Sequence, residues 1–64
     1  MSLREARKER GLSQVDLVKI SGIRQSTLSQ YENGQRLPTI GNAKKLADAL
    51  GMTVDEIFLL LNIS

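Results

Sequence analysis

Gln25, Ser26, Ser29 and Gln30 are spaced so that a helix would carry all four on one face. Each is uncharged, short or planar, and each can both donate and accept hydrogen bonds. Ordinary solvent-facing helices favour Glu and Lys, which support helix and pair at i,i+4, whereas Ser lowers helix stability. A glutamine amide can bond bidentately to adenine N6 and N7 in a DNA major groove, and a serine hydroxyl can bond several base edges. The four residues therefore suit base reading. The plainer reading is a soluble polar face, and the residues just before this helix separate the two.

Those residues supply a turn. The stretch from Gln14 to Gly34 reads Q-V-D-L-V-K-I-S-G-I-R-Q-S-T-L-S-Q-Y-E-N-G. Ser13 opens a helix, Asp16 adds negative charge near its positive end, and Gly22 stops it. Val15, Leu17, Val18 and Ile20 supply its apolar content. After Ile23, a further helix runs from about Gln25 to Asn33, with Gly34 where a left-handed cap is needed. Gly22 can take positive φ in the turn, and Ile23 can tuck inward to set the angle between the helices. With Leu17, Leu28 and Tyr31 in the core, the polar face points outward. Two short helices joined by such a turn form a helix-turn-helix, whose second helix can enter a major groove.

Three more helices complete the pattern, and no strand alternation appears between them. The first runs from about Ser2 to Arg10, with a capping-box spacing at Ser2 and Glu5, and Gly11 at its end. Leu3 and Ala6 form its inner face, with the stem of Arg10 beside them. After the loop Gln35-Arg36-Leu37-Pro38, Thr39 caps a fourth helix whose stripe is Ile40, Ala43, Leu46, Ala47 and Leu50, closed by Gly51. Thr53 and Glu56 form a second capping box, opening a last helix through Val54, Ile57, Phe58 and Leu61. The expected fold is an all-α, compact five-helix bundle occupying residues 1–64 as a single domain.

Composition narrows the function. The 64 residues contain no Cys, His or Trp, which removes disulfides, thiol nucleophiles, imidazole bases and the usual zinc ligands. A domain of this size has little room for an enclosed substrate pocket. The adjacent Asp55 and Glu56 lie at a helix start, where capping accounts for them. Neither enzyme, metal site nor cofactor is expected. The net charge of +2 divides as +3 over residues 1–36 and −1 over residues 37–64, in keeping with a polyanionic partner on the N-terminal side. The longest apolar run, Ile57 to Leu61, is far below the roughly 18 residues of a membrane span. No signal peptide is visible, and a soluble cytoplasmic protein is the expectation.

Gln14, Leu17, Gly22, Ile23, Leu28, Ser29, Glu32, Asn33, Gly34 and Pro38, followed by A-x-x-L-A-x-A-L-G at Ala43 to Gly51, resemble the lambdoid phage repressors and Cro-like regulators of the XRE type. The similarity covers about Leu3 to Leu61. It implies a lambda-repressor-like domain that docks as a two-fold dimer on a pseudo-palindromic operator in double-stranded DNA. By position, Gln25, Ser26, Ser29 and Gln30 would contact bases. Gln14, Arg24, Asn33, Gln35 and Arg36 would contact phosphates. Arg7 and Glu32 would form a buried ion pair joining the first helix to the end of the third. Three positions depart from the family. Val18 and Ser21 stand where Ala is usual, implying a slightly wider helix crossing at Val18 and a hydroxyl able to satisfy a helix-end carbonyl at Ser21. Arg24 replaces a Ser or Thr cap worth about 1 kcal/mol, with a phosphate contact as the compensating gain.

The last helix is apolar around its circumference. With Val54, Ile57 and Leu61 assigned to the core, some combination of Phe58, Leu59, Leu60 and Ile63 is left exposed, which usually marks association. The leading expectation is a homodimeric, sequence-specific transcriptional regulator, most simply a repressor. The alternative is an antitoxin-like module whose last helix binds a partner protein.

Overall fold

Four of the five helices start where a hydroxyl precedes an apolar run. In the computed structural model, which describes residues 1–62, they are α1 (Leu3–Glu9), α2 (Gln14–Ser21), α3 (Gln25–Glu32), α4 (Ile40–Leu50) and α5 (Val54–Asn62), with no strand among the described residues. The Ser2 hydroxyl accepts the Glu5 N–H at 3.1 Å, and the Glu5 carboxylate accepts the Ser2 N–H at 2.8 Å. Ser13 and Asp16 make the same reciprocal pair at 3.0 and 2.9 Å, so Asp16 closes a capping box as well as facing the helix dipole. These backbone N–H donors, with the hydroxyls behind them, hold the Glu5 and Asp16 carboxyls below the usual carboxylate range. Thr39 caps α4 through the Asn42 N–H at 3.2 Å, and Thr53 and Glu56 form the third box at 3.1 and 2.9 Å.

The helices enclose one core. Leu3, Leu17, Leu28, Leu46, Leu50 and Ile57 are fully buried, with Ile23, Tyr31, Ala43 and Ala47 beside them. Each such Leu or Ile contributes roughly 1.5–3 kcal/mol by leaving water. α4 packs on α5 and α2, α3 packs on α2 and α1, and α1 also packs on α5, which closes the helices around the core. Buried Tyr31 directs its hydroxyl to Asn42, whose Nδ2 donates to it at 2.9 Å, so the end of α3 is tied to the start of α4.

Several positions differ from the sequence expectation. Ile40 is 75% exposed: as the first residue of α4 it projects past the rim of the core that the rest of its stripe fills. Val15 and Ile20 are also exposed, because a helix packed on one side buries Leu17 and Ser21, while Val18 is partly buried against the core. On α1 the inner arginine is Arg7 rather than Arg10: positions 3, 6 and 7 share the buried face. Arg10 is exposed, and its guanidinium lies over the left-handed Gly51 that ends α4, where a Cβ would meet Nη2 at 2.8 Å. Ser21 accepts the Ile23 N–H at 3.2 Å, so its oxygen satisfies a turn donor rather than its proton a helix-end carbonyl.

Candidate nucleic-acid interface

The turn that presents α3 is short and specified by three residues. Gly22 takes φ +75°, which a side chain would strain. Ile23 is buried beneath the turn, and Arg24 begins α3 with extended ψ but no side-chain cap. Leu28 and Tyr31 then anchor one side of α3 in the core. Gln25, Ser26 and Gln30 are exposed on the other side, with Ser29 partly buried among them. The four proposed base readers thus share a face on a convex helix, a shape that fits a groove rather than enclosing a ligand.

A polar network fixes this helix to α1 and α2. Arg7 Nε donates to Glu32 Oε2 at 2.8 Å, Arg7 Nη2 to Glu32 Oε1 at 3.1 Å, and Arg7 Nη1 to the Leu12 carbonyl at 2.9 Å. The Glu32 side chain is wholly buried and that of Arg7 is 9% exposed, so the pair is desolvated and bidentate. Gln14 Nε2 donates to the same Glu32 Oε1 at 3.5 Å, and Gln14 Oε1 accepts from Gln25 Nε2 at 3.3 Å. An acceptor-only carboxylate therefore orients the Gln14 amide, and that amide orients Gln25.

The residues assigned to phosphates border the same face. Gln14 is the first residue of α2, and Arg24 lies just before α3. Asn33, Gln35 and Arg36 follow α3 and are exposed, with the Gln35 N–H donating to the Gln30 carbonyl at 2.9 Å. Sequence reasoning missed Arg4, whose Nε donates to Glu32 Oε1 at 3.4 Å and whose Nη2 donates to Asn33 Oδ1 at 3.1 Å. Its signal was the i,i+3 spacing to Arg7, which places both arginines on one side of α1. Asn42 was also missed; the need of buried Tyr31 for a hydroxyl partner pointed to a polar residue in the facing helix.

The apolar end of α5 is more occupied than its sequence suggests. Ile57 is fully buried, while Val54, Phe58 and Leu61 are partly buried and pack on the core. Phe58 is thus turned inward; Leu59 remains 58% exposed and Leu60 intermediate. Ile63 lies outside the described residues. Leu60 and Leu61 line a shallow groove of about 300 Å³ with Ser2, Leu3, Tyr31, Glu32, Asn33 and Gly34. Among the described residues, no helix is long and apolar enough to cross a membrane.

Comparison with known proteins agrees with this architecture. The helix-turn-helix family model matches residues 3–57. The cryptic phage CTXphi transcriptional repressor RstR of Vibrio cholerae is 36% identical over 55 residues, a match spanning 86% of this chain and 49% of that protein. An uncharacterized helix-turn-helix-type transcriptional regulator of Sinorhizobium fredii is 41% identical over 51 residues, covering 80% of this chain and 66% of that one. Another, from Methanothermobacter thermautotrophicus, is 37% identical over 59 residues, covering 91% and 86%. No solved structure matches. With the family match extending from α1 into α5 and the glycine turn between α2 and α3 in place, the chain belongs to the helix-turn-helix family of DNA-binding transcriptional regulators.

Proposed function

We propose that this chain is a sequence-specific, double-stranded DNA-binding repressor that places α3 in the major groove. The observation that carries the reading is the row of exposed Gln25, Ser26 and Gln30, with partly buried Ser29 among them, on a helix clamped from behind by Arg7, Glu32 and Gln14. Side chains that both donate and accept can match base edges, and a rigid support keeps them in register. Gln14, Arg24, Asn33, Gln35 and Arg36 hold the phosphates on either side, fixing orientation without carrying sequence information. The Vibrio cholerae phage repressor among the relatives supports repression, by occlusion of a promoter in the cytoplasm.

Two copies bind a pseudo-palindromic operator, with their α3 helices one DNA turn apart, about 34 Å. The second copy docks at the end of α5 through Leu59 and Leu60. A chain of 64 residues with one thin core gains both stability and affinity from such pairing.

Titration against random duplex DNA at several salt concentrations tests the first step. Affinity should fall steeply as salt rises, through counterion release, and absence of binding at low salt would overturn the proposal. Selection from a random duplex library should then return two related half-sites. Light scattering of the protein on that DNA should show a dimer; a monomer on DNA at micromolar concentration rejects the α5 interface.

A further inference from the structure

Arg4 reaches from α1 to the far end of α3 and holds two consecutive residues there, Glu32 through Nε and Asn33 through Nη2. The second contact has a consequence that follows from donor and acceptor inventory. A guanidinium carries only donors, so the Asn33 atom facing it must be Oδ1. The amide is thereby fixed in one of its two orientations, and its NH2 faces the other way. There, one turn back along α3, Nδ2 donates to Ser29 Oγ at 3.4 Å. An NH2 group cannot accept, so the Ser29 oxygen is the acceptor and its own proton is left to donate elsewhere.

We infer that Arg4 is a positioning residue for sequence reading: through Asn33 it sets the polarity of the Ser29 hydroxyl, so that Ser29 presents a donor to the groove. This inference rests on the base-reading function proposed above and deepens it. In the major groove, purine N7, guanine O6 and thymine O4 accept, whereas cytosine N4 and adenine N6 donate. With one oxygen lone pair taken by Asn33 and the proton free, Ser29 favours a base pair offering an acceptor there over one offering only a donor. The second Nδ2 proton of Asn33 stays available to a phosphate, so the positioning role and the phosphate contact coexist.

A direct phosphate contact by Arg4, whose side chain is 49% exposed, is the competing role, and the two roles move different readouts. Loss of a phosphate contact weakens all sequences alike and lowers the salt slope by about one. Loss of positioning changes discrimination at one base pair. The experiment measures affinity for the selected operator and for all single-base-pair variants of it, using the wild-type chain, Ser29→Ala, Arg4→Met and Asn33→Asp. Ser29→Ala identifies the base pair read by Ser29. Asn33→Asp keeps an acceptor toward Arg4 but offers none but acceptors toward Ser29, forcing the hydroxyl to turn its proton inward. Arg4→Met and Asn33→Asp should each reduce discrimination at that same base pair roughly threefold to tenfold, the scale of one hydrogen bond, and Asn33→Asp should also weaken all sequences uniformly by its added charge. Should Arg4→Met unfold the chain, the Asn33→Asp profile decides alone. Unchanged discrimination at the Ser29 base pair in the folded variants overturns the positioning role and leaves DNA reading by α3 intact. If Ser29→Ala alters no base pair, Ser29 reads none and the inference falls with that assignment; if no sequence is preferred at all, the proposed function falls first.

Discussion

The starts of α1 and α2 differ from the start of α3 in a way that separates stability from presentation. Ser2 and Ser13 close reciprocal capping boxes, and Thr39 and Thr53 cap α4 and α5. Arg24 offers α3 no such bond, and no acidic residue stands in the first turn of α3. A cap is worth about 1 kcal/mol, so the helix that carries the readers is the one least secured at its own start. It is secured by its neighbours instead. Ile23 anchors the turn in the core, the Ser21 oxygen takes the Ile23 N–H, and Arg7 grips Glu32 at the other end. A helix held by tertiary contacts leaves its outer face and first turn available to a partner.

The largest test of this contrast is at the far end of α3. Glu32→Ala removes the acceptor that Arg7, Arg4 and Gln14 share, leaving the Arg7 guanidinium buried without a counter-charge. Breaking a buried pair from one side costs about 3–5 kcal/mol, a large part of the stability of a domain this small. Urea denaturation should show that loss. A loss under about 1 kcal/mol would mean that α3 is held chiefly by Leu28 and Tyr31 and that the network is peripheral.

A smaller effect is expected at the turn. Gly22→Ala meets no atom within 4 Å, so its penalty comes from φ +75° alone. Left-handed backbone costs a side-chain-bearing residue roughly 1–2 kcal/mol, measurable as a lower melting temperature. Since α3 has no cap to compensate, hydrogen exchange should quicken first at Leu28 to Gln30, its first hydrogen-bonded amides. Uniform acceleration along α1 to α5 would show that the turn is not where α3 is weakest.

Arg24→Ser sharpens the comparison in the opposite direction by giving α3 the kind of cap the other helices have. Stability should rise by about 1 kcal/mol, or about 4–8 °C in melting temperature for a domain of this size. DNA affinity should fall for all sequences, with the salt slope reduced by about one, if Arg24 meets a phosphate. Stabilisation with unchanged affinity would remove Arg24 from the interface.

How much of this was readable in the chain follows from which interactions are local. The boxes at Ser2 and Thr53, the cap at Thr39 and the turn glycine involve residues a few positions apart, and their spacing announces them. The α4 stripe was equally plain apart from Ile40, because periodicity assigns a face without showing where the core stops. Arg7 and Glu32 are 25 residues apart, and only the family resemblance paired them. Arg4 and Asn33 are 29 apart and were not paired at all, since the i,i+3 spacing to Arg7 gives the side of α1 that Arg4 occupies but not the partner it reaches. In helix α5 the inward positions Val54, Ile57 and Leu61 were legible, but a segment apolar on every side does not show how far the core extends around it, and Phe58 packs on the core while Leu59 stays out.

The smallest expected effect is also the one that follows most directly from the capping contrast, because acid should act on α1 and α2 and spare the start of α3. Glu5 and Asp16 are both fully exposed, and each has its carboxyl lowered chiefly by a backbone N–H, from Ser2 and Ser13 respectively. A carboxyl whose native pKa lies below its unfolded value contributes stability that is present above the unfolded pKa, near about 4, and is lost as pH falls through the native one. Stability should therefore decline below about pH 4, and Glu5→Gln with Asp16→Asn should flatten that decline while lowering stability at neutral pH. Hydrogen exchange read by helix gives the sharper form. On acidification, opening free energy should fall at Glu5 to Arg7 and at Asp16 to Val18, beyond the change at Leu28 to Gln30, the first bonded amides of a helix that no carboxylate caps. Equal loss at all three starts would mean that the caps of α1 and α2 do not distinguish them from α3 in acid.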